Sequence, residues 1–401
     1  MLEQVQMKIN VFTIGDSRIV RTWSGLPYFF CKALEAAGVK VVRTNIEPDG
    51  TRARLFASLY RARTSARRWL LGWRNDVGFL RTPMYATLVA ERIKTACAAC
   101  PNADGNFFLT FSFSSCGLSQ IPVVHYCDQT YEQLLRESGS KALTYAAKWH
   151  IQNEIDNLRH AALIFGGFPS TIRHLRDELG LGNVYPKYMS GINQDSNQID
   201  VTDLVAHKEE SSDFLFIGKS AYARGADILV KAFRILDASA RGRFRLNIVG
   251  LSRKDLGLRS DESDMVCYKY LDRGDAEQNK TYQNLLENAR VFVMPQRTDM
   301  VAIAMQEALL LCTPVVVSDL ENIRAFVKDG ENGLLLADVT PQACAAAMRR
   351  LVDDRDIWRR MAHNAHASAR DRTWESIVKE MLQVIEKRLV TKSGHGCRRD
   401  P

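Results

Sequence analysis

The sequence predicts an α/β protein of two parallel-sheet halves, and three stretches carry that expectation. In the second half, the apolar run 291–295 leads through a short polar turn, 296–299, into an almost wholly apolar segment, 301–311. Thr313 and Pro314 then punctuate the chain before a second apolar run, 315–317. Strand, turn, helix and strand within about 30 residues is a βαβ unit, the crossover that builds parallel sheets. The same order opens both halves. Residues 9–14 precede a loop and a helix ending at Gly38, and residues 214–217 precede the loop 218–225 and another helix. Sheets of this kind bind ligands at the carboxyl ends of their strands, so the loops that follow are the place to look for function. A chain of 401 residues, 46% hydrophobic and 25% charged, is long enough to bury two separate cores.

In order, the first half reads as strands at 9–14, 39–46, 107–112, 122–127 and 162–165. Helices are expected up to Gly38, over 85–99, over 141–160 and from 169 to near Gly180. Ser24 and Gly25 stand just before the first helix, where backbone N–H groups lack intrahelical partners and anions are readily held. A plain connection is the alternative there. Asp128 follows the strand 122–127 and so occupies a ligand-binding position of a parallel sheet. An N-cap for the next helix would also place Asp there. His125 falls inside that strand and ranks below Asp128 as a candidate. The polar runs 194–200 and 207–213 mark the linker. That gives a first domain of 1–205, a second of 206–375, a C-terminal helix at 376–390 and a tail at 391–401.

In the second half, Lys219 and Arg224 flank a loop between Gly218 and Gly225, ahead of a helix. Backbone amides and the helix dipole already favour anions at such a place, and both side-chain types bind phosphate. Solvated loop charges are the alternative. Strands at 244–249 and 265–271 follow, then a helix at 282–288. Glu307 lies inside a helix that is apolar on nearly every face, where an ionised carboxylate is costly unless paired or ligand-bound. Asp299 stands eight residues earlier, roughly 12 Å away along a helix. A helix-entry Asp and a buried Glu in a salt bridge would read the same way.

Pro295, Gln296, Asp299, Glu307, Ala308, Thr313, Pro314, Val315 and Val316 together carry a resemblance. This segment resembles the E-x7-E region of retaining nucleotide-sugar glycosyltransferases of the GT-B fold, family 4. Their usual pattern is P-S-x-x-E-x-F-G-x-x-x-x-E-A, then G-T-P-V-V. Gly191, Ile192 and Asn193 are similar to the family's G-[VI]-[ND] signature, and Lys219 and Arg224 to its Arg and Lys with the two exchanged. The resemblance implies two facing Rossmann-like domains, with the last helix crossing back to the first. It implies a hexosyltransferase that moves a sugar from a UDP- or GDP-linked donor to a glycan or lipid-linked acceptor with retention, as in polysaccharide biosynthesis. It also implies roles: Lys219 and Arg224 on the departing diphosphate, Glu307 on the ribose, Asp299 on the donor sugar. Asp128 would stand near the anomeric carbon, with Ser24 and Gly25 over the diphosphate. Beyond the substrate, no cofactor and no bound metal is required. The chain departs from the pattern with Asp at 299, Val301-Ala302 for Phe-Gly, Cys312 for Gly, and Glu321, Asn322, Arg324 and Ala325 where G-G-[IL]-P-E is usual. Another enzyme of this architecture, such as an epimerase or phosphorylase, and a degenerate non-catalytic subunit that binds nucleotide or a partner remain alternatives.

Composition narrows the setting. No apolar run is of membrane-spanning length and no signal-peptide pattern follows Met1. The nine cysteines are odd in number and scattered, which reads as reduced thiols in a cytoplasmic protein. The acids Asp261, Glu262 and Asp264 are expected in a solvated loop. The net charge of +8 is uneven, with eight arginines and one acid, Asp76, in 52–81. Arg52, Arg54, Arg61, Arg63, Arg67, Arg68, Arg74 and Arg81 alternate with Leu55, Phe56, Leu59, Tyr60, Trp69, Leu70, Leu71 and Trp73. A basic face beside aromatic and aliphatic residues suits peripheral contact at the inner face of a membrane. A helix packed on its own sheet with its arginines in solvent is the alternative. No nucleic-acid module accompanies the charge, so no nucleic-acid partner is expected.

Overall fold

Two parallel sheets organise the chain, each wound with helices. The computed structural model describes residues 6–71, 78–139, 144–194, 199–238 and 242–390. Trp73, Arg74, Asp76, the helix start expected at Lys141, part of the linker and the tail 391–401 lie outside the described residues. So do the side chains of Arg67, Arg68, Leu70 and Leu71. Contacts divide the chain into one unit of Met1–Ser190 with Trp374–Pro401, and a second of Gly191–Thr373.

The first unit alternates β1 (Lys8–Thr13), α1 (Leu26–Ala36), β2 (Lys40–Asn45), α2 (Gly50–Leu71), α3 (Pro83–Ala99), β3 (Gly105–Phe108), β4 (Val123–Cys127), α4 (Tyr131–Glu137), α5 (Tyr145–Arg159), β5 (Leu163–Gly166) and α6 (Pro169–Arg173). Its strands pair in parallel in the order β2-β1-β3-β4-β5 among the described residues. Strand β3 is shorter than the sequence suggests. Beyond Leu109 the chain turns away, and Thr110 O accepts from His125 rather than continuing a ladder.

The second unit contains α7 (Val201–Glu209), β6 (Asp213–Ile217), α8 (Ala226–Asp237), β7 (Arg245–Val249), β8 (Met265–Tyr268), α9 (Ala276–Asn288), β9 (Ala289–Met294), α10 (Ile303–Leu310), β10 (Val315–Ser318), α11 (Glu321–Arg324), β11 (Gly333–Leu336), α12 (Pro341–Asp353) and α13 (Arg355–Ala369). Its strands run in the order β11-β10-β9-β6-β7-β8. Every residue of β9 and β10 is buried, as a strand covered on both faces requires. The last helix, α14 (Trp374–Ile385), belongs to the first unit. Its Trp374 ring meets Phe30 edge-on at 5.5 Å and Tyr126 at 5.9 Å, and Glu380 accepts from Tyr185 at 2.7 Å.

Residues 207–213 are not linker. They end α7 and begin β6, because Lys208 needs a buried partner set. Its Nζ donates to Leu286 O at 2.7 Å and to Thr313 Oγ1 at 2.5 Å, and the side chain is fully buried. Burial pushes the amine down to about 7. A folded-state value below the unfolded one means that charging Lys208 penalises the fold. The penalty is complete below about pH 7 and fades as pH rises toward the ordinary lysine range. Wild-type stability from this group therefore increases with alkalinity, a dependence Lys208→Met lacks, so the wild-type-minus-variant difference in thermal melts should rise from neutral to alkaline pH. A difference that does not change with pH would refute a depressed amine.

Cys312 occupies the position that ends α10 in the left-handed region, at φ 58°. A glycine adopts this without cost, whereas a side chain there costs about 1 kcal/mol or more. The departure at Cys312 is thus a strained helix terminus, not a change in chemistry.

Candidate functional site

In the second unit the winding reverses between β6 and β9. The chain passes outward through β7 and β8, then returns to lay β9 beside β6. Open α/β sheets bind ligands outside the strand ends at such a point, which here singles out the loops 218–225 and 295–302. The two loops are in tight contact. Gly225 sits at φ 76°, and a Cβ there would stand 1.9 Å from Pro295 O, so only glycine fits. A Cβ on Gly250 would meet Gly218 O at 2.6 Å, which seats the first loop against the end of β7. Arg297 N–H donates to Ala223 O at 2.9 Å and completes the junction.

Lys219 and Arg224 differ in setting. Lys219 is exposed, with Nζ 4.4 Å from the centre of the Tyr270 ring. Arg224 is half-buried, and its Nη1 donates to Gln296 Oε1 at 3.1 Å and to Met300 O at 2.5 Å. It therefore braces the loop after β9 as well as charging the loop after β6. Helix α8 starts at Gly225 without a side-chain cap, so its amides and dipole add to the positive character. Asp227 in its first turn would oppose an anion. Arg297 offsets that charge through two 2.8 Å bonds while lying 4.1 Å from the Tyr222 ring centre, and it holds the Asp227 carboxyl below its usual range.

The acidic pair takes a form the sequence left open. Helix α10 begins only at Ile303, so Asp299 lies on the preceding loop and the helical estimate of its distance from Glu307 does not apply. Both Asp299 carboxylate oxygens accept from Asn322 N, at 2.9 and 3.1 Å, and Asn322 Nδ2 returns a bond to Asp299 O at 3.1 Å. Asp299 thereby caps α11, the segment in which the usual G-G-[IL]-P-E is missing. Glu307 is 1% exposed, accepts from Arg273 Nη1 at 2.7 Å through one oxygen and from the Tyr282 hydroxyl through the other. Arg273 also donates to Asn193 O at 2.9 Å and lies over the Tyr282 ring at 4.9 Å. Glu307 is half of a buried ion pair. A carboxylate has about four acceptor sites, so two of them remain for a further donor.

In the first unit the winding reverses between β1 and β3. The segment after β1 carries Trp23 and Ser24 in the left-handed region, at φ 47° and 57°, followed by Gly25 at φ 95°. Strained non-glycine residues of this kind cost about 1–3 kcal/mol each and concentrate at functional loops. Gly25 caps α1, and Ser24 is exposed beside it. Asp128 follows β4 and is half-buried, with the Tyr126 hydroxyl donating to Oδ1 at 3.4 Å. A Cβ on Gly167 would lie 2.6 Å from that same oxygen, so the site is shaped around the carboxylate. Desolvation pushes the Asp128 carboxyl up to about 6. It is not the N-cap of the next helix, since Thr130 fills that role with a capping box. His125 is fully buried, bonds through Nδ1 to Thr110 O at 2.7 Å and is pushed down to about 4 by burial. It is a neutral core histidine.

Glu262 departs from expectation. It lies in the expected loop but is half-buried and paired at 2.6 Å with Arg234, whose side chain is partly exposed, and that guanidinium holds its carboxyl down at about 2. Sequence reasoning gave no role to Arg273, Tyr282, Gln296 or Asn322. Gln296 and Asn322 stood in segments already compared with the family pattern, and Arg273 gave a signal of its own, a cation beside glycine shortly after a strand.

Comparison with known proteins bears on the family and the fold. Residues 203–368 match the family model described as glycosyl transferases group 1. A D-inositol 3-phosphate glycosyltransferase of Thermomonospora curvata is 23% identical over 267 residues, covering 64% of this chain and 60% of the relative. A glycosyltransferase of Methanocaldococcus jannaschii is 26% identical over 186 residues, covering 45% of this chain and 46% of the relative. The chain spans about half the length of the curated relatives it matches. Among solved structures, sucrose-phosphate synthase of Thermosynechococcus elongatus superposes with a TM-score of 0.69 at 15% identity, covering 96% of this chain and 100% of that one. Anabaena HepE, solved in complex with UDP and glucose, gives a TM-score of 0.60 at 16% identity, with 95% and 100% covered.

Proposed function

We propose, for a chain whose residues 203–368 form a glycosyl transferases group 1 domain within a GT-B fold, that it transfers a hexose from a nucleoside-diphosphate sugar to a glycan or lipid-linked acceptor, with retention of configuration. The observation that carries this reading is the pair of loops at the second sheet's reversal point. They bring Lys219, Arg224 and the uncapped start of α8 together where parallel sheets bind ligands. Sugar transfer builds negative charge on the departing diphosphate. Fixed cations and helix-end amides stabilise that charge without reorganising, an effect worth several kcal/mol. In this reading Lys219 and Arg224 hold the diphosphate, Glu307 uses its remaining acceptor capacity on the ribose, and Asp299 orients the sugar from the cap of α11. Ser24 and Gly25 line the loop after β1, and Asp128 serves the transfer as an ionised carboxylate. No cofactor beyond the donor and no metal is invoked.

A thermal-shift screen of nucleoside diphosphates and their sugars tests this, with UDP first because HepE holds it. A ligand at 100 times its Kd adds roughly 2.7 kcal/mol. Lys219→Ala and Arg224→Ala should each lose about 2–5 kcal/mol of transition-state stabilisation, at least about 30-fold in kcat/KM. Unchanged kinetics in both would refute the assignment.

One observation favours a second reading, a subunit that binds nucleotide without transferring sugar. Glu307 and Asp299 are both already engaged, with Arg273 and with Asn322. UDP binding with no turnover of any sugar donor would select it.

A further inference from the structure

Helix α2 is long, and its residues are largely exposed. Over Gly50–Leu71 it presents two apolar faces rather than one. Ala53, Phe56, Ala57, Tyr60 and Thr64 are buried or half-buried and face the first unit, with the Tyr60 ring 5.7 Å from Phe79. Leu55, Leu59, Ala62, Ala66 and Trp69 recur at alternating steps of four and three, which places them in a single stripe along the helix. All five are exposed, Leu55 by 55%, Leu59 by 57% and Trp69 by 85%. The inner face accounts for the packing of the helix, and the outer stripe is not needed for it.

Charge identifies what the stripe meets. The helix contains six arginines and no acid. At about 100° per residue, Arg52 and Arg63 fall on one flank of the stripe and Arg54 and Arg61 on the other. Arg54, Arg61 and Arg63 are exposed, and Arg52 pairs with Glu91 at 3.2 Å. An apolar line bordered on both sides by cations, with a tryptophan toward one end, matches a helix lying in the plane of an anionic bilayer. Its leucines enter the acyl boundary, and its guanidinium groups reach the headgroups. A second copy of this chain does not fit, because pairing two such helices would bring like charges together. Nucleic acid would engage the arginines and leave the leucines and Trp69 in water.

We infer that the outer face of α2 docks the protein on an anionic membrane surface. Arg81, which the sequence grouped with this patch, is not part of it, since it lies 4.5 Å from the centre of the Tyr131 ring. The inference stands on the exposed face of α2 alone and uses none of the residues assigned to the donor site.

Vesicle sedimentation tests it with two lipid compositions, phosphatidylglycerol mixed with phosphatidylcholine, and phosphatidylcholine alone. The full chain should pellet with the anionic vesicles at low salt and be released at high salt. It should remain in solution with the neutral ones. Arg54→Glu with Arg61→Glu and Arg63→Glu should lower the vesicle partition coefficient on the order of 100-fold or more, at roughly tenfold or less per headgroup contact. Leu55→Ser with Leu59→Ser and Trp69→Ser should weaken it comparably while the charge is retained. All six positions are exposed, so unchanged melting curves and unchanged nucleotide binding confirm that the variants remain folded. Failure of the wild type to bind anionic vesicles would overturn the inference. So would binding that survives the three charge reversals. A concentration-dependent dimer lost in the Leu55/Leu59/Trp69 variant would overturn it in favour of a second copy.

Discussion

Glu307→Ala is expected to destabilise the second unit by about 3–5 kcal/mol, the range seen when one partner of a buried ion pair is removed. Arg273, only 13% exposed at its side chain, would retain its charge without the carboxylate that now receives it at 2.7 Å. The Tyr282 hydroxyl, which donates to the other oxygen, would lose its acceptor as well. Urea melts at neutral pH read the loss directly. The double variant Glu307→Leu with Arg273→Met should recover much of it, because replacing a whole buried pair with apolar groups is often neutral or better. Glu307→Gln separates stability from function. It keeps an acceptor for Arg273 and a polar group for Tyr282, so its stability should fall less than that of the alanine variant. If Glu307 also receives a ribose hydroxyl, nucleotide affinity should drop in the Glu307→Gln variant even where the melt is mild. A wild-type melt for Glu307→Ala would mean that the buried pair contributes nothing.

The second unit was more legible in sequence than the first, for a physical reason. Strands β9 and β10 are covered on both faces, so their residues form continuous apolar runs with few alternative readings. Gly225 is equally readable, because a contact that excludes even a Cβ leaves one residue type. What sequence could not give was the partner of each charge. Arg273 precedes Glu307 by 34 positions and Asn322 follows Asp299 by 23, so neither pairing follows from local spacing. The same limit applies to Glu262, whose partner Arg234 lies 28 residues away on α8. In the first unit, the left-handed turn at Trp23 and Ser24 gives no local signal, since neither residue favours that region. Helix α2 shows the converse. Its arginines were conspicuous in sequence, but only burial separated the face that packs from the face that does not.

Asp128→Asn is expected to move stability and activity in opposite directions. The carboxyl titrates at about 6, raised from 3.8 by desolvation. A folded-state value above the unfolded one means that ionisation costs the fold something. That cost is absent below the unfolded value, grows as pH rises and is complete above about 6. A shift of this size corresponds to at most about 3 kcal/mol. The amide avoids the cost and can still accept from the Tyr126 hydroxyl, so Asp128→Asn should melt higher than wild type above pH 6 and show no such gain near pH 4. Activity should fall by about 10²–10⁴ if the charge serves the transfer, the range typical for loss of a positioned ionisable or charge-stabilising group. Wild-type kcat/KM should decline with a single-proton slope as pH drops through about 6, and the residual activity of the variant should lack that limb. Two measurements decide between roles. A carboxylate retained only for structure would leave the variant less stable and the pH limb in place. A gain in stability together with the loss of both rate and limb identifies a group kept at the expense of the fold for the reaction.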